Sequence, residues 1–381
     1  MSSSIEKQKH EKRLSHHMKE FPDYVMEYIQ AQKRKSRSPS TLLGYLHDFK
    51  KFFEYLLREG LTDAEMIKDV PFSTLEHLRK SELEYYIDYL REDDIEVRKN
   101  VFKKRSKAAI NRNISALTSL FNYLTTETEN EEGECYFYRN VMSKIPLETS
   151  KTETSNSRST KISKKILHDQ SITGLIEFVR NEYEKQVDKI QKERFLKNKE
   201  RDIAILSLFL GTGLRVSELA SLTLDAIDYN EEQIDVVRKG EKEDTIQILA
   251  EALIDLKDYL EVRNSKYKAT DSDYYVFVTN YNGTVKPISV RAIQNLVQRY
   301  TKAYNKGQRH LSPHKLRHSF AGEYLKNSGG NMILLRDQLG HNSIETTSLY
   351  TNLDRKEHKK VMKNISDSRK QHNNTNKSEE Q

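Results

Sequence analysis

The pattern of hydrophobic positions divides the chain into two blocks of different character. In the N-terminal block, large apolar residues recur at spacings of three and four, which is the period of one helix face. The first series follows Ser38-Pro39, a helix N-cap residue and a proline suited to the first helical turn. The three series are Leu42, Tyr45, Leu46, Phe49, Phe52, Phe53 and Leu56; Leu83, Tyr86, Ile87 and Leu90; and Ile110, Ile114, Leu117, Phe121 and Leu124. They predict a small helical bundle.

The C-terminal block mixes helical periodicity with a short alternating segment. Residues 203–210 form an apolar run that ends at Gly211-Thr212-Gly213, which predicts a buried helix and its termination. Residues 233–238 and 244–248 alternate like paired strands around Lys239-Gly240. Further helices are predicted at 253–259, at 292–300 and after His314. The predicted fold class is mainly α with a small β-sheet, an N-terminal helical bundle followed by an α+β domain.

Polar segments mark the predicted boundaries. Residues 1–20 and 366–381 are polar and show no periodicity, so both ends are predicted to be disordered. Between 147 and 165, Ser, Thr and Lys replace nearly every large apolar residue, which is typical of a linker. The predicted domains are therefore 21–146 and 166–365.

Composition excludes several classes of protein. The 381 residues include 64 Lys and Arg against 57 Asp and Glu, a net charge of +7 that weakly favours a polyanionic partner. The single cysteine, Cys135, excludes an intramolecular disulfide and a Cys-rich zinc module. The N-terminus lacks the apolar segment of a signal peptide, and no segment approaches the length of about 20 apolar residues that crosses a bilayer. We therefore expect a cytoplasmic protein without a membrane partner.

Candidate chemistry lies in a series of short, turn-rich motifs. The common motifs for ATP, nicotinamide, serine-hydrolase and zinc-protease chemistry (GxxxxGK[ST], GxGxxG, GxSxG and HExxH) do not occur in the sequence. The motifs that do occur present basic, imidazole and phenol side chains. They are Arg215 in GTGLRVSEL, Lys239 in RKGEK, His314 and Arg317 in SPHKLRHSF, His341 in LGHNS and Tyr350 in SLYTN.

Each motif alone has an ordinary interpretation. Arg215 is three residues from Glu218 and is suited to a local ion pair. His314 and His318 have a spacing that suits zinc, but no third ligand accompanies them, so we expect no metal. Together, however, two arginines, a lysine, two histidines and a tyrosine suit the negative charge of a phosphodiester transition state. A tyrosine nucleophile would keep the energy of the broken bond in a covalent link, so neither ATP nor another cofactor is expected.

The set GTGLR, RKG, HKLRH, LGH and LYT, in this order, resembles the tyrosine recombinase (phage integrase) family. Within that family the likeness is greatest to the Xer recombinases of the single-protein XerS type, which ECYFYRNVMSKI and LKNKERDIAI also resemble. The resemblance implies a SAM-like core-binding domain over 21–146 and a catalytic domain over 166–365. It also implies site-specific cutting and rejoining of double-stranded DNA by a homotetramer on two sites, and allows for a DNA translocase or accessory protein as a further partner.

The resemblance also implies a role for each motif residue. Arg215 and Arg317 would clamp the scissile phosphate, and Tyr350 would form the 3′-phosphotyrosyl intermediate. His314 would accept the tyrosine proton, and His341 would hydrogen-bond the phosphate. Lys239 would protonate the departing 5′-oxygen.

The chain departs from the Xer pattern at the hairpin. Where many Xer members read GKGxKxR, this sequence has Arg238 in place of the first glycine and Asp244 in place of the last arginine. Lys242 lies three residues from Lys239, so either lysine could be the acid, although the position of Lys239 before Gly240 favours it.

A basic cluster precedes the third apolar series. A solvated surface would explain such a cluster, but contact with DNA phosphates is the interpretation that the resemblance favours. Its members are Lys103, Lys104, Arg105, Lys107 and Arg112.

Three other functions are alternatives to dimer resolution. A type IB topoisomerase uses similar chemistry on one duplex, and a DNA-binding protein without activity could retain the fold, although the six intact positions argue against it. A mobile-element integrase shares every catalytic residue with a recombinase that resolves chromosome dimers. The XerS likeness favours dimer resolution at a dif-like site, which implies roles in chromosome partition and cell division.

Overall fold

A computed structural model describes residues 2–98, 101–147, 166–167, 170–238, 242–308 and 310–340. The chain divides into two compact units at residue 152. All of the predicted linker except Leu147, and the whole predicted tail 366–381, lie outside the described residues.

The N-terminal unit is a helical bundle with one hairpin. Its described helices are α1 (Ser2–Met18), α2 (Asp23–Arg34), α3 (Pro39–Arg58), α4 (Phe72–His77), α5 (Lys80–Glu92) and α6 (Lys107–Thr126). The three apolar series lie on α3, α5 and α6, and every member except the half-buried Tyr45 is buried in one core. As predicted, α3 begins at an N-cap, where the Ser38 hydroxyl accepts a hydrogen bond from the backbone amide of Thr41 and Pro39 occupies the first turn.

The prediction of disorder over residues 1–20 is wrong for most of that segment, because α1 spans Ser2–Met18. Leu14 and Met18, four residues apart, lie on one face of this polar helix and are buried in the same core as α3. Two apolar positions were too sparse to register as a periodic pattern, yet they are sufficient to pack the helix.

A β-hairpin that the sequence analysis did not predict lies between α5 and α6. Its antiparallel strands are β1 (Asp94–Arg98) and β2 (Val101–Lys104). Lys103 and Lys104 of the basic cluster therefore lie on a strand, whereas Lys107 begins the following helix.

The C-terminal unit surrounds one long helix with shorter helices and two small sheets. Its described helices are α7 (Gln170–Glu177), α8 (Lys189–Thr212), α9 (Val216–Ala220), α10 (Ala250–Tyr267), α11 (Val290–Tyr304), α12 (Pro313–Asn327) and α13 (Met332–Leu339). Its described strands are β3 (Ile227–Asp228), β4 (Gln233–Val237), β5 (Glu243–Gln247), β6 (Val278–Tyr281) and β7 (Thr284–Pro287). The predicted fold class, mainly α with a small β component, is confirmed.

The predicted hairpin forms β4 and β5 of an antiparallel sheet with the order β3-β4-β5, in which β4 is the central strand. β4 begins as predicted and ends one residue early, and β5 lies one residue earlier than predicted at both ends. Ile234 lies opposite Ile246 in the core. The β6-β7 hairpin was not predicted, because its strands are only four residues long and partly exposed.

The C-terminal half of α8 explains the apolar run in the sequence. Residues 203–212 are all buried, as expected for a helix that other elements surround on every side. The helix ends at Gly213, which has a φ of 70°. A Cβ atom there would lie 2.5 Å from Cδ1 of Phe320 on α12, so only glycine fits where α8 approaches α12 this closely. The chain then enters the segment that carries Arg215.

Candidate active site

Arg215 is the N-cap residue of α9, directly after the turn that ends α8. Its backbone amide donates to Oε2 of Glu218 at 2.7 Å, and its Nη1 donates to Oε1 of the same carboxylate at 2.7 Å. The local ion pair that the Arg215–Glu218 spacing suggested is therefore present in the structure. Nη2 of Arg215 also donates to the carbonyl oxygen of Gly340 at 3.1 Å, so this ion pair aims the guanidinium at the end of α13.

Arg317 reaches the same turn from α12. Its side chain is buried, and its two terminal nitrogens bond backbone carbonyls on two separate segments. Nη1 donates to the carbonyl of Gly213 at 2.6 Å, and Nη2 donates to that of Leu339 at 2.7 Å. Arg317 therefore donates to the Leu339 carbonyl and Arg215 to the next carbonyl, that of Gly340, although the two arginines are 102 residues apart in sequence.

His314 lies one turn before Arg317 on α12, and part of its ring is exposed to solvent. Partial burial of the ring, together with the positive charges of Arg317 and Arg215, lowers the pKa of His314 below its ordinary value of 6.5. The ring is 4.2 Å from that of His318, centroid to centroid. The described residues contain no group of three or more His, Cys, Asp or Glu side chains that would hold a metal ion.

Glu218 is a buried carboxylate shared by two arginines. Besides Arg215, it accepts a hydrogen bond from Nη1 of Arg238 at 3.2 Å. Burial opposes ionisation, but the hydrogen bond from the Arg215 amide and the charges of Arg238 and Arg215 outweigh it and hold the pKa of Glu218 below its ordinary value. The carboxylate therefore remains ionised and orients both guanidinium groups.

Arg238 is a member of this cluster that the sequence analysis treated only as a departure from the Xer pattern. It is buried at the end of β4, and its Nε donates to Oδ2 of Asp244 on β5 at 2.8 Å. The two departures from the pattern thus form one ion pair across the hairpin. The sequence indicated this pair, because the arginine and the aspartate that replace residues of the Xer pattern lie on facing strands of the predicted hairpin.

Three of the six predicted catalytic residues lie outside the described residues: Lys239, His341 and Tyr350. Their described neighbours are part of the cluster. Arg238 and Lys242 flank residues 239–241, and the Arg238 amide donates to the Lys242 carbonyl at 2.7 Å. Gly340, whose carbonyl receives Arg215, directly precedes His341 in the sequence. Lys242 is exposed, and the choice between Lys239 and Lys242 as the acid stays open.

The described cluster is suited to an anionic ligand. Arg215 and Arg238 both bond the buried carboxylate of Glu218, and Arg317 meets Arg215 at the end of α13. Planar guanidinium groups bind phosphate oxygens through paired N–H donors. The ring of His314 adds an imidazole that its lowered pKa keeps neutral near pH 7.

The basic cluster of the N-terminal unit contains two kinds of residue. Lys103, Lys104 and Lys107 are exposed. In contrast, Arg105 donates to Oδ2 of Asp93 at 2.7 Å. Arg112 holds the buried carboxylate of Asp48 through bonds of 2.8 and 2.9 Å. The two arginines therefore help to hold the unit together, whereas the three lysines present their ammonium groups to solvent. None of the described helices is long and apolar enough to cross a membrane.

Comparisons with known proteins show the family to which the chain belongs. A model of the phage integrase family matches residues 179–357. The chain is 39% identical over 344 residues to the tyrosine recombinase XerS of Streptococcus pyogenes serotype M5 (strain Manfredo), an alignment that covers 90% of this chain and 95% of that protein. The chain therefore belongs to the tyrosine recombinase (phage integrase) family. Within that family it is of the Xer type, and it is an enzyme that cuts and rejoins DNA.

Solved structures show the same fold. The XerH site-specific recombinase bound to a palindromic difH substrate, in a post-cleavage complex, has a TM-score of 0.60 and 19% identity, covering 85% of this chain and 78% of that chain. The Tn1549 transposon integrase in complex with circular intermediate DNA has a TM-score of 0.55 and 20% identity, covering 86% of this chain and 94% of that chain.

Proposed function

We propose that this enzyme is a site-specific recombinase that resolves chromosome dimers at a dif-like site through a 3′-phosphotyrosyl intermediate. The observation that carries the chemistry is the convergence of Arg215 and Arg317 on the consecutive carbonyls of Leu339 and Gly340, next to His341 in sequence. Two guanidinium groups fixed in this way can hold both nonbridging oxygens of one phosphate.

The proposed reaction has balanced proton transfers. The Tyr350 oxygen attacks phosphorus as His314 accepts its proton, and the bond from phosphorus to the 5′-oxygen breaks. Lys239 donates a proton to the departing 5′-oxygen, with Lys242 as the alternative acid. His341 hydrogen-bonds the phosphate. Rejoining reverses these steps: a 5′-hydroxyl from a second duplex attacks the phosphotyrosyl phosphorus, the bond to the Tyr350 oxygen breaks, and the tyrosine regains its proton.

The dif-like role rests on the likeness to the XerS relative over nearly its whole length. We propose a homotetramer on two DNA sites, working in the cytoplasm, with a DNA translocase or accessory protein as a further partner. Two alternatives share the chemistry. A mobile-element integrase would act on transposon ends, and a type IB topoisomerase would act on any duplex without exchanging strands.

Covalent capture on genomic DNA tests the proposal. Purified protein is incubated with genomic fragments and denatured, and the DNA that remains linked to protein is sequenced at its 3′ junctions. We expect junctions at one sequence with two inverted half-sites, because a symmetric assembly reads symmetric DNA. A plasmid carrying two direct copies of that sequence should lose the segment between them. Scattered junctions, with relaxation of any plasmid, would contradict site-specific recombination and favour the topoisomerase.

We expect the three exposed lysines of the N-terminal unit to contact DNA phosphates. In the variant with Lys103, Lys104 and Lys107 all changed to Gln, the slope of log Kd against log salt should fall by about 2.7, at about 0.9 for each lost phosphate contact. Fluorescence anisotropy over a salt series measures this slope. A control variant removes the same charge from exposed lysines elsewhere in the unit, at Lys68, Lys80 and Lys144. Equal slopes for the two variants would contradict the assignment.

The lowered pKa of His314 predicts the acid limb of the pH profile. Only the neutral ring can accept the tyrosine proton, so cleavage should fall as the pH drops through the pKa of His314, with a midpoint below 6.5. The single-turnover cleavage rate between pH 5 and 8 measures this limb. His314→Gln should lower the rate and flatten the limb, whereas the exposed His310→Gln should leave both unchanged. A His314→Gln variant with the wild-type profile would contradict a general-base role.

A further inference from the structure

Arg238 connects three separate segments through one buried guanidinium. Its Nε donates to Oδ2 of Asp244 on β5 at 2.8 Å. Its Nη1 donates to Oε2 of Glu218 on α9 at 3.2 Å, and its Nη2 donates to the carbonyl of Gln338 on α13 at 3.0 Å. The side chain is only 7% exposed, so these contacts are made away from solvent.

Gly340 packs directly against this guanidinium. A Cβ atom at Gly340 would lie 2.5 Å from Nε and 2.6 Å from Cζ of Arg238, closer than side chains approach one another. Gly340 also has a φ of 62°, a conformation that glycine adopts without strain. The end of α13, one residue before His341, therefore rests on the Arg238 side chain.

Gln338 independently fixes the same end of α13. Its Nε2 donates to the carbonyls of Thr212 at 3.0 Å and of Gln247 at 2.8 Å, and its Oε1 accepts from the Gln247 amide at 3.2 Å. These bonds hold α13 against β5 and the end of α8. The contact to the end of β4, where the chain enters Lys239, is supplied by Arg238.

The backbone of Arg238 closes the loop that contains Lys239. Its amide donates to the Lys242 carbonyl at 2.7 Å, so only residues 239–241 lie between the two joined ends. The Arg238–Asp244 ion pair joins the ends of the same two strands beside this backbone bond.

We propose that Arg238 is a positioning residue for the reaction: it fixes the two strand ends that flank Lys239 in the sequence, and the end of α13 that precedes His341, relative to Arg215. The inference rests on the proposed function, because it assumes that the loop carries the general acid. Arg238 acts through Glu218, Asp244 and the Gln338 carbonyl rather than on DNA, since its guanidinium is buried among them. A lysine at this position keeps the charge, but its three N–H donors share one nitrogen and cannot reach the three partners that Nε, Nη1 and Nη2 of Arg238 bond separately.

The test compares two DNA substrates cleaved by the Arg238→Lys variant. One has the natural 5′-oxygen at the scissile phosphate, and the other has a bridging 5′-sulfur, which leaves without needing a proton. If Arg238 positions the acid, Arg238→Lys should slow cleavage of the oxygen substrate by about 10²-fold or more, the lower range of general acid catalysis, and slow the sulfur substrate much less. DNA affinity, measured by anisotropy, should stay within a few-fold of wild type.

Arg263→Lys is the matched control. Arg263 is a buried arginine of the same unit, and it bonds backbone carbonyls of Val276 and Tyr275 far along the chain from the lysine loop. Its replacement should lower the melting temperature without changing the ratio of sulfur to oxygen rates. Equal losses of Arg238→Lys on both substrates would overturn the proposal, because they would indicate a role in folding alone.

A second variant covers the case in which Arg238→Lys does not fold. Asp244→Asn removes only the outer, partly exposed partner of Arg238, and it should raise the sulfur-to-oxygen ratio in the same direction by a smaller factor. An unchanged ratio would overturn the proposal. If wild-type protein forms no covalent adduct on either substrate, the proposed function itself fails, and this outcome is distinct from a selective failure of the variants.

Discussion

Replacing Tyr350 by phenylalanine is expected to abolish covalent attachment of the protein to DNA while leaving DNA binding unchanged. The substitution removes only the hydroxyl that we propose as the nucleophile. A nicked suicide substrate, whose cleaved end diffuses away, traps the adduct on a denaturing gel. The expected signal for Tyr350→Phe is zero against a strong band for wild type.

The control for this variant is Tyr281→Phe, at the end of β6, where the side chain is 72% exposed. It removes a tyrosine hydroxyl from the same unit and should form the adduct at the wild-type rate. An adduct that persists in Tyr350→Phe would assign the nucleophile to another residue and would contradict the carried-over role of the LYT motif.

Replacing Arg317 by lysine is expected to slow cleavage by about 10³- to 10⁵-fold, the range for losing an arginine that stabilises a phosphoryl transition state. Lysine keeps one positive charge but loses the planar fork that bonds the Gly213 and Leu339 carbonyls and that we propose also binds the phosphate. The single-turnover rate on the suicide substrate measures the loss, with affinity followed separately by anisotropy.

Arg263→Lys again separates catalysis from folding, because both arginines are buried and both bond backbone carbonyls. We expect similar decreases in melting temperature for the two variants, but a large loss of cleavage only for Arg317→Lys. A rate for Arg317→Lys within tenfold of wild type would remove Arg317 from the proposed phosphate clamp.

The fold was predictable where burial follows a local period. The apolar series on α3, α5 and α6 predicted three helices, because core residues on a helix recur at three and four positions. The sequence did not predict α1, which is held by only two apolar residues, Leu14 and Met18. Short strands such as β6 and β7 were also missed, since four residues give too few alternations to distinguish a strand from a loop.

The site was predictable as a set of residue types but not as a set of contacts. The motifs singled out Arg215 and Arg317, yet the convergence of both on Leu339 and Gly340 depends on how distant segments pack. The role of Arg238 was missed for the same reason. Its partner Gln338 lies 100 residues away, and no local pattern announces that contact.

Non-local pairing also changed the interpretation of the basic cluster. Local charge placed five residues in one basic cluster, and the family resemblance favoured DNA contact for all five. The structure pairs Arg112 with Asp48, 64 residues away, and pairs Arg105 with Asp93. The three lysines then carry the proposed phosphate contacts, and their contribution to the salt dependence of binding can be measured without the arginines.

The most direct test of the central claim is to identify the residue and the DNA end that become linked. Wild-type protein is reacted with the suicide substrate, the DNA is trimmed with nuclease, and the modified peptide is sequenced by mass spectrometry. We predict a nucleotide joined through its 3′-phosphate to Tyr350, together with a free 5′-hydroxyl on the released strand. A link to a 5′-phosphate, a link to another residue, or DNA that is bound and cut without any link would contradict the account.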